Sequence, residues 1–264
     1  MRLFIESMGL LGPGLAGWAA SRPVLRGEVP YRHAPAVVTA SEFLPPVERR
    51  RTGIPVKLAL AVGHEALTNA GRDAAATATV FTSSGSDGEN VHQLCETLAS
   101  SEREVSPTRF HNSVHNAAAG YWSIATRCHE TSTSLCCRDA SFAAGLLEAA
   151  AQVATAGAAV VLIAYDQPYP EPLGSVRPIG AIFGAALVLA SQADRASIQL
   201  EVTFAAGKGN ATPMADAALE ALRGSVPAAR SLPLLAALAR NRSEDVVLEY
   251  LEAAHLHITV APCS

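Results

Sequence analysis

Two kinds of apolar pattern divide the chain. Short apolar runs recur at Leu3 to Leu11, Ala78 to Thr82, Ala158 to Tyr165 and Ile179 to Ser191, and Ser197 to Ala205 reads as a further strand in which Ile198, Leu200 and Val202 alternate with polar residues. The runs with little polar alternation, above all Ala158 to Tyr165, predict strands buried on both faces, as in sheets covered by helices. Other stretches carry helical spacing. Ile54 to Ala70 has an apolar stripe through Val56, Leu58, Leu60, Ala61 and Leu67. The Gly/Ser turn Ser83 to Glu89 opens a helix to about Leu98. Ser134 to Ala150 reads as a strand, a sharp turn and a helix that ends near Gly157. Pro213 to Arg223, Leu232 to Arg240 and Ser243 to Ala254 read as helices, and His255 to Val260 as a final strand. Strands interleaved with helices predict an α/β fold.

Composition narrows the partners. Of 264 residues, 49% are hydrophobic and only 17% charged, so the chain can bury a large core and part of its surface is expected to be covered by another protein. A net charge of −4 argues against a nucleic-acid partner. The five cysteines, Cys95, Cys128, Cys136, Cys137 and Cys263, are odd in number and fit no zinc spacing, which predicts reduced thiols in the cytoplasm. Glu6 and the Gly-Pro-Gly that follows make a poor signal peptide. No apolar run reaches the roughly 18 residues of a membrane span. No cofactor is expected, and no internal repeat or low-complexity tract stands out.

The chemistry centres on Ser134-Leu-Cys-Cys-Arg-Asp139-Ala-Ser-Phe and the Gly157 and Ala158 to Tyr165 that follow. This strand–turn–helix–Gly–strand layout resembles the first half of the β-ketoacyl synthase family. Without gaps, the family's small-residue strand and nucleophilic cysteine fall on Ser134 to Asp139, and its Gly-Asp-Ala-like turn on Gly157. Lys57 to Leu67 resembles the family helix that follows an arginine-containing loop. Asn116 and Gly120 hold the same separations from Asp139 as the family's Asn and Gly from its cysteine. The resemblance is strong from Lys57 to Tyr165 and fades beyond Ala205. It implies a thiolase-like α/β condensing-enzyme fold in one domain, 1–264, with a complete first half (1–195) and an abbreviated second half (196–264).

The scaffold is kept and the thiol is not. A condensing enzyme stores its acyl chain as a thioester on a thiolate held at a helix N-terminus. A carboxylate there would give a mixed anhydride, whereas as a helix N-cap it would suit the free N–H groups and the dipole. Asp139 is therefore expected to cap the helix in place of a nucleophile. The family's two histidine motifs and lysine are also missing. After Asp139 only His255 and His257 occur, in an apparent edge strand, and Lys208 sits in a Gly-Lys-Gly turn.

The resemblance thus implies a non-catalytic subunit of the chain-length-factor type, in particular like the short ketosynthase-like proteins of bacterial aryl polyene clusters. Such a subunit pairs with a catalytic ketosynthase and elongates chains bound to acyl carrier protein. It implies Thr133, Ser134, Leu135, Cys136 and Cys137 as the dimer strand, and Phe110, Ser113, Val114 and Ala117 as the tunnel floor. Two other classes stay open: an active acyltransferase or condensing enzyme using Cys137, facing inward from the strand, or Ser141, and a stand-alone acyl-binding scaffold. His111 and His115 are spaced for a metal, but no carboxylate or cysteine nearby completes a site, so they read as a polar interface helix. Glu48 to Arg51 could meet an acidic carrier protein, although internal salt bridges in a solvated loop are the plainer reading.

Overall fold

A computed structural model of the chain describes residues 1–101 and 103–263. The chain opens with β1 (Arg2–Gly12), the short β2 (Leu15–Ala16), α1 (Trp18–Leu25), α2 (Pro46–Arg51) and α3 (Ile54–Ala70). β3 (Ala78–Thr82), α4 (Gly88–Ala99), α5 (Pro107–Asn112) and α6 (Ala117–Thr126) follow. Next come β4 (Ser132–Leu135), α7 (Ser141–Ala156), β5 (Val160–Asp166), α8 (Leu173–Val176), β6 (Phe183–Ala190) and β7 (Ile198–Ala206). The chain closes with α9 (Ala217–Ser225), α10 (Leu232–Arg240), β8 (Glu244–Leu251) and β9 (Ala254–Pro262).

All nine strands of the described residues join one mixed sheet in the order β4-β3-β5-β6-β1-β7-β9-β8, with β2 on β1. β3 lies parallel to β4 and β5, and the remaining pairs are antiparallel. The unbroken apolar runs are explained by burial on both faces. Val160, Leu162 and Ala164 of β5 join the larger core with α7, α1, α9 and α10, while Val161, Ile163 and Tyr165 join the smaller one with α3 and α6. β7, β9 and β8 contribute only to the larger core. α7 touches β3 and β5 on one side and β8 on the other, so the sheet folds around it.

The fold turns on β1, which pairs with β6 from Phe4 to Leu11 and with β7 from Arg2 to Ile5. Its register shifts between Ile5 and Ser7, and such a bulge increases local twist and bends a strand. Glu6, at the bulge, is held by the Arg72 guanidinium through both its oxygens.

Two expectations are corrected. Ser243 to Ala254 is not a helix: Glu244–Leu251 is the edge strand β8, paired with β9 from Glu244↔Val260 to Leu251↔Ala254. Val246 and Leu248 point into the core while Asp245 and Glu249 stay in water. That period-two burial overrides the local helical appearance of the sequence. Consequently His255 and His257 lie not on an edge but on β9, between β7 and β8. Both face the side of the sheet away from the core, where the His255 Nδ1 stands 2.9 Å from the Gly207 carbonyl.

Candidate functional site

The turn after β4 is built by local chemistry. The strand stops at Leu135, so Cys136 and Cys137 lie beyond it, and the expected strand Thr133 to Cys137 is shortened at that end. Arg138 then takes a left-handed conformation at φ 51°, uncommon for a residue that carries a Cβ, and gives the sharp reversal the sequence anticipates. A 3₁₀ turn, Arg138–Ala140, leads into α7. Asp139 lies in that turn, and the N-cap position falls on Ala140 with no side-chain cap. The capping role expected for Asp139 is therefore corrected.

Guanidinium groups draw the carboxylate away from the helix. Arg177 Nη2 donates to Asp139 Oδ1 at 2.5 Å, and Arg230 Nη2 stands 3.5 Å from Oδ2. Arg230 Nη1 also reaches Glu249 Oε2 on β8 at 2.6 Å. A charge-assisted bond to a guanidinium is stronger than one to a neutral amide. Burial by itself would raise the Asp139 carboxyl, but the Arg177 hydrogen bond and the charges of Arg230, Arg177 and Arg138 together hold it below the usual value. The network links the turn after β4, the loop carrying α8, the 3₁₀ turn before α10, and β8.

The alternative nucleophiles are poorly equipped. Ser141 is 1% exposed; its Oγ donates to the Arg138 carbonyl at 2.7 Å and accepts the Cys137 N–H at 3.0 Å. Cys137 is half-buried in the turn rather than on a strand, which corrects its expected inward-facing strand position. Among the described residues no histidine hydrogen-bonds to Cys137, Ser141 or Asp139, so none of them has the adjacent base that activates a nucleophile.

A second carboxylate organises the same end of the sheet. Asp166 closes β5 and is buried, and burial pushes its carboxyl up to about 6 against the hydrogen bonds it accepts from Ser84, Ala228 and Ser83. Tyr169 packs over Gly85 and Gly88, where any Cβ would stand within 2.4 Å of the ring or its hydroxyl.

The face beside β4 is open. Among the described residues β4 pairs only with β3, leaving its other edge of backbone N–H and C=O groups unpaired by them. A groove of about 420 Å³ runs alongside, lined by Asn116, Ala119, Gly120, Ser123, Ser132 and Ser134. A Cβ on Gly120 would meet nothing within 4 Å. Next to the groove, the corner between α5 and α6 presents Phe110 at 69% and Val114 at 50% exposure, and Ile124 on α6 adds 44%. Ser113 is half-buried and donates to the Phe110 carbonyl at 2.8 Å. Ala117, at the start of α6, is buried at 7% exposure.

The remaining sequence candidates fall elsewhere. α5 ends at Asn112, so His111 and His115 do not share a helix, which corrects the single interface helix expected of them. His115 Nε2 lies 3.3 Å from the Ser83 carbonyl, and His111 meets Tyr121 edge-on. No group of three or more His, Cys, Asp or Glu among the described residues could hold a metal ion. Glu48 to Arg51 lies on the helix α2 and not in a loop, which corrects that part of the expectation. Arg51 makes the expected internal pair with Glu48 at 3.0 Å, and Arg49 Nη2 donates to the Glu42 and Leu44 carbonyls. No helix among the described residues is long and apolar enough to cross a membrane. Sequence reasoning missed Arg177, Arg230, Glu249 and Asp166. Only Asp166 left a trace, as a carboxylate ending an otherwise apolar strand.

Comparison with known proteins bears on this geometry. The model of the β-ketoacyl synthase N-terminal domain matches residues 20–250. No curated protein sequence matches significantly. A chain in the structure of the ketosynthase ApeO in complex with its chain length factor ApeC from Xenorhabdus doucetiae superposes with a TM-score of 0.74 at 22% identity, over 98% of this chain and 99% of that one. A chain of the ishigamide ketosynthase/chain length factor gives 0.73 at 15% identity, over 100% and 99%. A chain of the PfaC ketosynthase–chain length factor gives 0.64 at 12% identity, over 100% of this chain and 43% of that one. These likenesses carry the fold, a thiolase-like condensing-enzyme architecture.

Proposed function

The chain belongs to the β-ketoacyl synthase family, and on that premise we propose that it is a non-catalytic chain-length-factor subunit that pairs with a catalytic ketosynthase. The observation that carries the reading is the Asp139 carboxylate, bound by Arg177 and Arg230 at the position that sequence spacing assigns to the nucleophile. A carboxylate held by two cations is neither an acyl acceptor nor a free base. The naming of ApeC as the chain length factor of ApeO supports the same role.

In this reading β4 is the dimer strand, with Thr133, Ser134 and Leu135 on it and Cys136 and Cys137 at its end. A ketosynthase strand adds to the unpaired edge, and its neighbouring surface fills the groove along α6. Phe110, Val114 and Ser113 reach into the partner's acyl tunnel and limit chain growth. The pair works in the cytoplasm on chains bound to acyl carrier protein. In its finer form the product is an aryl polyene, following the resemblance to the short ketosynthase-like proteins of those clusters.

Co-expression with a ketosynthase carrying an intact Cys–His–His set tests the proposal. A stable heterodimer that elongates carrier-bound chains, beside an inert chain alone, is the expected result. A soluble monomer that ignores the ketosynthase, or turnover by the chain alone, overturns it.

A further inference from the structure

Asp166 has no salt-bridge partner among the described residues; neutral donors surround it. Oδ1 accepts the Ser84 N–H at 2.8 Å, the Ser84 hydroxyl at 2.7 Å and the Ser83 hydroxyl at 3.2 Å. Oδ2 accepts the Ala228 N–H at 2.8 Å. Burying a carboxylate without a cation is unfavourable, so its four donors are held in place by it as much as it is by them.

The turn fixed in this way touches both pieces of the partner-facing surface. Ser83 Oγ accepts the Ser86 N–H at 2.9 Å, and the Ser83 N–H donates to the carbonyl of Leu135, the last residue of β4, at 3.3 Å. Cys136 Sγ donates to the Ser84 carbonyl at 3.1 Å. On the other flank the Ser83 carbonyl faces His115 Nε2 at 3.3 Å, and Ser86 Oγ donates to the His115 carbonyl at 3.4 Å. The body of α5 has its own ties, Asn90 to the Arg109 carbonyl and Tyr121 to Asn112. Among the described residues, the corner that follows it, Ser113 to Asn116, meets α6 only through the carbonyls of Val114 and Asn116, which accept the Ala117 and Gly120 N–H groups. The Asn116 side chain caps no helix N–H, and among the described residues the corner's long-range hydrogen bonds are those of His115.

We infer that Asp166 is the positioning residue for product length: through the Ser83–Ser86 turn and His115 it sets where Ser113 and Val114 stand in the partner's tunnel. This rests on the chain-length-factor reading. Asp166 touches no substrate. It acts by fixing a wall rather than by chemistry, so its loss changes where elongation stops.

The test uses the heterodimer with the co-purifying ketosynthase, fed malonyl-loaded acyl carrier protein, with carrier-bound products read by mass. The wild-type complex comes first. If it forms no heterodimer or no product, the functional reading itself fails. With a productive wild type, Asp166→Asn and His115→Ala are each expected to give an intact complex whose main product shifts by at least one elongation unit or spreads over several lengths. The double variant is expected to match the single ones, because both act along one path. His115→Ala leaves the buried carboxylate untouched and carries the test where Asp166→Asn does not fold. A wild-type product from His115→Ala in an intact complex overturns the inference. So do independent, additive shifts in the double variant, which are the mark of general loosening.

Discussion

Arg177 reaches across 38 residues of sequence to donate to Asp139 at 2.5 Å. The contact puts cations where a condensing enzyme needs a free thiolate and an open approach. Asp139→Cys should therefore produce a reactive thiol without restoring catalysis. Beside Arg177 and Arg230 the new thiol is favoured as thiolate, so iodoacetamide should label it readily at neutral pH. Incubated alone with malonyl- and acyl-loaded carrier protein, the variant should still make no ketoacyl product, since no histidine stands ready to stabilise the enolate or oxyanion. The stability loss should be about 1 kcal/mol or less by chemical denaturation, because the ion pair is partly exposed. Condensation by the purified variant would contradict this account.

Phe110 lies on α5 and Ser113 just after its end, the first exposed and the second half-covered. Phe110→Ala should lengthen the carrier-bound product, and Ser113→Trp should shorten it, with the heterodimer intact. Adding bulk to a closed pocket costs about 1–3 kcal/mol, enough to disfavour elongation past that point by roughly 5- to 150-fold. For a polyene the absorption maximum moves with each added double bond, so colour and mass give two readings. Unchanged lengths in both variants would remove the corner from the tunnel.

Gly120→Leu separates the chain's own stability from its assembly. Nothing of this chain lies within 4 Å of the new Cβ, and the position is inside α6. Replacing glycine by a good helix former in a helix favours it by about 0.5–1 kcal/mol. The melting temperature of the isolated chain should hold or rise while co-purification with the ketosynthase falls at least tenfold. Wild-type pairing by the variant would place the interface away from α6.

Asp166 makes a pH prediction. Its carboxyl lies at about 6 in the folded chain against an ordinary 3.8. A raised carboxyl binds its proton more tightly when folded, so its contribution to stability is full below the unfolded value and is lost as pH rises through the folded one. At about 1.4 kcal/mol per unit, the wild type should lose up to about 3 kcal/mol from this group between roughly pH 4 and 6. Asp166→Asn removes that slope, although it costs about 1–3 kcal/mol by turning an N–H donor toward the Ala228 amide. The measurement is the difference in unfolding free energy between wild type and variant across that range. A constant difference would show that the carboxyl titrates normally.

Apolar periodicity recovered the strands β1, β3, β5, β6 and β7 and the helix α3, because their burial on one or two faces is written in consecutive side chains. It failed at Ser243 to Ala254, where Val246 and Leu248 alternate with charged residues and the pairing that decides the matter comes from β9. The spacing around Asp139 led to the right turn and the wrong use of the carboxylate. Arg177 and Arg230 come from a loop and a 3₁₀ turn with no periodic signal, and only the folded sheet brings them together. The same holds for Asp166, whose donors Ser83, Ser84 and Ala228 lie 83, 82 and 62 residues away.

β1 is made long before its main partners: Phe4 pairs with Ala190 and Arg2 with Glu201. The centre of the sheet therefore stays empty until most of the chain has been synthesised. Non-local pairing of this kind slows folding and leaves strand edges uncovered in the interval. During that interval the nascent chain is the form most exposed to aggregation, and translation beside an already folded partner would shorten the exposure.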